Sequence, residues 1–82
     1  MKIVITQEDV KNAGSYDDNY NCPLAKVMQK ILNNDRIGVG SNIIGSPVDN
    51  KYATIHPPFL EENYNALKNG EIKEFVTEYT PL

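Results

Sequence analysis

The chain has 82 residues, 40% of them hydrophobic and 23% charged, an ordinary balance for one small globular domain. Its formal charge is −3 and its eight basic residues are scattered, so no basic patch for tracking a phosphate backbone exists and direct nucleic-acid binding is disfavoured. A single cysteine rules out an internal disulfide, no Cys/His pair has zinc-ligand spacing, and no apolar run reaches the ~20 residues of a membrane span.

With no signal-like segment at Met1–Thr6, the expected setting is cytoplasmic, without a membrane partner. Lys2-Ile3-Val4-Ile5-Thr6 is β-branched and predicts a short internal strand. Thr6 can cap a helix of about two turns, with Glu8 and Asp9 in its first turn and Gly14 as its stop. Ser15 through Asn21 is polar and turn-prone. The clearest element follows: Leu24, Val27, Met28, Ile31 and Leu32 form one helical apolar stripe. Pro23 suits the first helical turn, and either Asn21 or Cys22 is the cap.

Arg36–Gly40 and Asn42–Ile44 read as strand pieces around Gly40-Ser41, and Gly45 through Asn50 as a hairpin-like connection. Lys51–His56 is the next strand, ended by Pro57-Pro58. A helix follows, with Leu60, Tyr64 and Leu67 on one face beside Asn63, and Asn69-Gly70 stops it. Ile72 through Thr80 is the last strand, with Phe75, Thr77 and Tyr79 on one side and Val76 and Glu78 on the other. The order β-α-α-β-β-α-β predicts a single α+β domain over residues 1–82, a small mainly antiparallel sheet with helices packed on one face. So small a core also favours a homo-oligomer. Glu71, Glu74 and Glu78 read as the solvated face of the last strand, whose exposed edge could pair with a second chain.

Cys22 carries the sharpest chemical question. At a helix N-terminus the dipole favours a thiolate, whereas burial would make it a small packing residue at the helix entrance. A nucleophile needs a base, and His56 is the only histidine. Gly38-Val39-Gly40-Ser41-Asn42 and Gly45-Ser46 could bring backbone N–H groups to a ligand, although ordinary bulges and turns also use such residues. Tyr16-Asp17-Asp18-Asn19-Tyr20 could stack an aromatic base and bond its edge, or simply be a solvated loop; it lacks the calcium-loop spacing. The expected ligand-binding set is Tyr16, Asn19, Tyr20, Asn21, Cys22, Ser41, Asn42, Ser46 and His56, with no catalytic residue, cofactor or metal.

Taken together, Ile5-Thr6-Gln7, Asn21-Cys22-Pro23-Leu24-Ala25, Leu67-Lys68-Asn69-Gly70 and Ile72 through Glu78 order nearly the whole chain. In this the chain resembles small phage and prophage accessory proteins with an Asn-Cys-Pro-hydrophobic-Ala helix start. The resemblance implies a phage origin, hence host cytoplasm, and a standalone non-virion protein; it supplies no substrate. The Asn- and Lys-rich middle departs from the usual pattern. The resulting expectation is a non-enzymatic counter-defence protein that sequesters a small nucleotide-like signal or blocks a host defence protein. The alternatives are a thiol-dependent enzyme using Cys22 and a structural or assembly protein.

Overall fold

The computed structural model describes residues 1–40 and 43–82. Its elements are β1 (Lys2–Thr6), α1 (Gln7–Lys11), α2 (Pro23–Ile31), β2 (Gly38–Val39), β3 (Ile44–Ser46), β4 (Lys51–His56), α3 (Glu61–Lys68) and β5 (Glu74–Pro81). The five strands form one antiparallel sheet in the order β1-β5-β4-β3-β2, and the domain is α+β as expected. Of the two expected strand pieces, Gly38–Val39 forms β2, but only Ile44 of the second lies in β3, which runs on through Gly45 and Ser46, expected as the start of the connection; the two strands pair as Gly38↔Gly45 and Val39↔Ile44.

The first and last strands lie side by side, with Ile3 opposite Thr77 and Ile5 opposite Phe75. Two expectations fall here. β1 is an edge strand rather than an internal one, and β5 is central, so the edge available for sheet extension is not on the last strand. Burial in a sheet is decided by faces, and a strand can bury one face completely while having a neighbour on one side only. Ile3 and Ile5 are fully buried, which explains why β1 reads as internal from its residues alone.

The helices cover one face. Ile3, Ile5, Phe75, Thr77, Ala53 and Ile44 point into it and pack against Leu24, Ala25 and Met28 of α2, Leu67 of α3 and Val10 of α1. Each large buried side chain contributes roughly 1.5–3 kcal/mol. Thr77, buried in this layer beside the cis His56–Pro57 corner, has its hydroxyl satisfied: Oγ1 donates to the Pro57 carbonyl at 2.6 Å. On the opposite, uncovered face Val4 pairs with Val76 and Lys2 with Glu78, and Val76 and Tyr52 are exposed.

Helix ends follow local chemistry. Thr6 Oγ1 accepts from the Asp9 N–H (3.2 Å) while the Asp9 carboxylate accepts from the Thr6 N–H (2.8 Å), a capping box that starts α1. That helix ends at Lys11, short of Gly14, whose N–H instead donates to the Asn21 carbonyl and closes the following loop. In α2 the stripe outruns its cover: Ile31 and Leu32 are 44% and 39% exposed, although they keep the spacing of Leu24, Val27 and Met28. Leu60, expected on the buried face of the next helix, is its N-cap and lies exposed; Tyr64 and Leu67 do turn inward. Gly70 ends α3 with φ +75°, the left-handed conformation a helix stop requires. Among the described residues no helix is long and apolar enough to cross a membrane.

Candidate functional site

Loop 14–22 is braced from within. Asp18 accepts from the N–H groups of Tyr20 and Asn21 (both 3.1 Å) and from the Asn21 amide, and these bonds hold its carboxyl below the usual range. Gln29 of α2 donates to the carbonyls of both Tyr20 and Ile37, each at 2.9 Å, tying the loop and the approach to β2 onto one helix. The Val39 N–H then donates to the Asn19 carbonyl at 2.7 Å, so the loop lies along the outer edge of β2.

Opposite this loop stands the segment after β4. The Tyr16 ring packs against Phe59 and Tyr64 with centroids 6.1 and 5.8 Å apart, and Phe59 in turn meets Phe75 at 5.2 Å. Tyr16 donates its hydroxyl to the Phe59 carbonyl at 3.1 Å. Burial, helped by the nearby Glu61 and Cys22, raises the Tyr16 pKa and keeps the phenol neutral.

Between loop and segment lies a cleft of about 680 Å³, floored by β2, β3 and β4 and lined by Tyr16, Asn19, Val39, Ile43, Ile55 and Phe59 among others. Apolar groups dominate it, with Asp17, Asn19, Thr54 and His56 supplying polarity. No lysine or arginine lines it among the described residues.

The structure gathers Tyr16, Asn19, Cys22 and His56 of the expected set around this cleft. It separates the others. Tyr20 lies over Gly38, where an added Cβ would come within 2.9 Å of its ring, and it does not line the cleft. Asn21 spends its amide on Asp18 and its carbonyl on Gly14. Ser46 is buried and donates to Asp49 Oδ2 at 2.7 Å, closing the β3–β4 turn instead of facing a ligand. Ser41 and Asn42 lie outside the described residues.

Cys22 is the N-cap of α2, its Sγ accepting from the Ala25 N–H at 3.4 Å. It is 3% exposed, and burial pushes the thiol pKa up despite the lowering effect of the Ala25 and Leu24 amides; Asp18 pushes the same way. Desolvation of a thiolate therefore outweighs the hydrogen bonds that the amides at the helix start offer it. His56 lines the same cleft, but its register partner Glu78 puts it in an uncovered-face row, and no hydrogen bond joins it to Cys22 among the described residues. Nor do the described residues gather three His, Cys, Asp or Glu side chains that could hold a metal ion.

Sequence reasoning missed the apolar walls, Val39, Ile43, Ile55, Phe59 and Leu60. A signal existed at Ile43-Ile44, two adjacent isoleucines of which Ile44 is buried in β3 while Ile43, just before the strand, is 44% exposed. Compared with protein-family models, curated proteins and solved structures, the chain matches none.

Proposed function

We propose that the protein is a non-catalytic binding protein whose cleft takes the planar, uncharged part of a small nucleotide-like ligand. The observation that carries this reading is the lining: an apolar, partly aromatic cleft with Asp17 and Asn19 of loop 14–22 as polar groups and, among the described residues, no lysine or arginine beside them. Such a site favours a nucleobase or similar ring inside and leaves any phosphate pointing to solvent, because a phosphate brought next to Asp17 without a counter-charge would be repelled. The burial and raised pKa of Cys22 support binding over thiol catalysis. The resemblance to small phage accessory proteins supplies the setting, sequestration of a host signal in the cytoplasm as counter-defence.

Thermal unfolding against matched nucleobases, nucleosides and nucleotides tests this. A ligand at about 1,000 times its Kd adds about 4 kcal/mol, a shift of many degrees in so small a domain. Nucleosides are expected to shift the midpoint as strongly as their phosphorylated forms, and Leu60→Asp at the cleft wall is expected to abolish the shift. No shift with any member of the panel rejects the ligand reading and leaves blocking of a host protein as the surviving form of the binding proposal.

A further inference from the structure

The two edges of the sheet are finished differently. At β2 the outward-facing N–H of Val39 is bonded by the Asn19 carbonyl. At β1 the hydrogen-bond parity is set by Met1, which exchanges bonds with Tyr79: the Met1 ammonium donates to the Tyr79 carbonyl at 3.0 Å and the Tyr79 N–H to the Met1 carbonyl at 2.8 Å. Residues directly opposite alternate between bonded and non-bonded pairs. Ile3 and Ile5 therefore bond inward to Thr77 and Phe75, and Lys2, Val4 and Thr6 direct their backbone groups outward. Thr6 already donates its N–H to Asp9. Among the described residues, nothing pairs with the N–H or carbonyl of Lys2 and Val4.

We infer that this open edge is a homodimer interface, in which β1 pairs antiparallel with β1 of a second copy about a two-fold axis at Val4. The sheet then runs on from one chain into the other. The register follows from the side chains of the uncovered face. Val4 stands beside Val76, which is 40% exposed, so an axis at Val4 joins Val76, Val4 and the same two residues of the partner subunit in one apolar row.

Charge supports the same register. A lysine on an edge strand ordinarily discourages pairing. Here Glu78, the neighbour of Lys2, is already taken by the Met1 ammonium at 2.8 Å, and Lys2 has no ion-pair partner among the described residues. The proposed pairing sets Lys2 opposite Thr6 of the partner subunit, and beyond that threonine lies Glu74 of the partner subunit. Two strand spacings, roughly 10 Å between backbones, is within the combined reach of a lysine and a glutamate. Both copies make this contact by symmetry, as an isologous interface requires.

Sedimentation equilibrium of the full chain tests the inference. The wild type is expected at twice the chain mass. Val4→Lys, which sets two ammonium groups against each other at the axis, is expected to sediment as a monomer with an unchanged far-ultraviolet spectrum. Lys2→Glu is expected to weaken the dimer several-fold, and Glu74→Lys added to it to restore association. A wild type that stays monomeric at high micromolar concentration overturns the inference. So does a dimer untouched by Lys2→Glu, an exposed change that decides the matter even where Val4→Lys disturbs folding.

Discussion

Tyr16 and Phe59 are joined across 43 residues of sequence by a hydroxyl-to-carbonyl bond of 3.1 Å and by a tilted ring contact at 6.1 Å. That pair holds loop 14–22 against the segment after β4 and so sets the width of the cleft. Tyr16→Phe keeps the ring and deletes the bond. The expected loss is about 1 kcal/mol, which in a domain of this size lowers the melting midpoint by roughly 4–8 °C. Calorimetry of the two proteins measures it; an unchanged midpoint would mean that ring packing alone positions the loop.

Cys22 is expected to be a slow thiol. Its ionisation is pushed up by burial, so native protein at neutral pH should react with a disulfide reagent far more slowly than unfolded protein. Cys22→Ser retains a side-chain acceptor for the Ala25 N–H, and Cys22→Ala removes it at a cost of about 1 kcal/mol. Reaction kinetics with and without denaturant, followed by the reagent's absorbance, check the first point. Rapid labelling of the folded chain would revive the catalytic reading.

Asp49 ties the turn after β3 to the segment 34–36. It accepts from Ser46 Oγ at 2.7 Å and from the Asn34 amide at 2.8 Å, and Arg36 stands 3.9 Å away. The Ser46 bond first, then the Asn34 bond, lowers its pKa in the folded state. The stability it contributes is therefore fully present above its unfolded value, near about 3.9, and is lost as pH falls through the lower folded value. Asp18 behaves in the same sense through its bonds to Tyr20 and Asn21. Carboxyl-carbon chemical shifts during an acid titration should place both midpoints below those of an unstructured peptide. Asp49→Asn should flatten that part of the stability profile.

Gly45 faces Tyr52 on the uncovered side of the sheet. A Cβ there would stand 2.9 Å from the Lys51 carbonyl oxygen and collide with the Tyr52 ring. Gly45→Ala is expected to destabilise by about 1–3 kcal/mol, since the ring can swing away but the backbone oxygen cannot. Adding Tyr52→Ala should recover only part of the loss. Denaturant midpoints for the single and double variants separate the two contributions.

Much of the local structure is written in the sequence because its causes are local. The bounds of β4 between a turn and Pro57, the Cys22-Pro23 start of α2, the Gly70 stop of α3 and the inward alternation of Phe75, Thr77 and Tyr79 all depend on neighbours within a few positions. The site was legible only in pieces. Tyr16, Asn19, Cys22 and His56 stood out by residue type, but so did Tyr20, Asn21 and Ser46, which turn out to brace loops. Whether a polar side chain meets a ligand or its own backbone depends on which distant segment folds beside it.

The same distinction separates fold class from architecture. Periodicity and turn chemistry by themselves determined an α+β domain with helices on one face. Only the tertiary structure decided that β5 lies between β1 and β4, leaving β1 at the open edge while loop 14–22 closes the other. The physical reason is that alternation records which face of a strand is buried, and says nothing of which strand supplies the hydrogen bonds on either side. The cleft, built where a loop, three strands and a proline-flanked segment converge, follows from that strand order and not from any one stretch of chain.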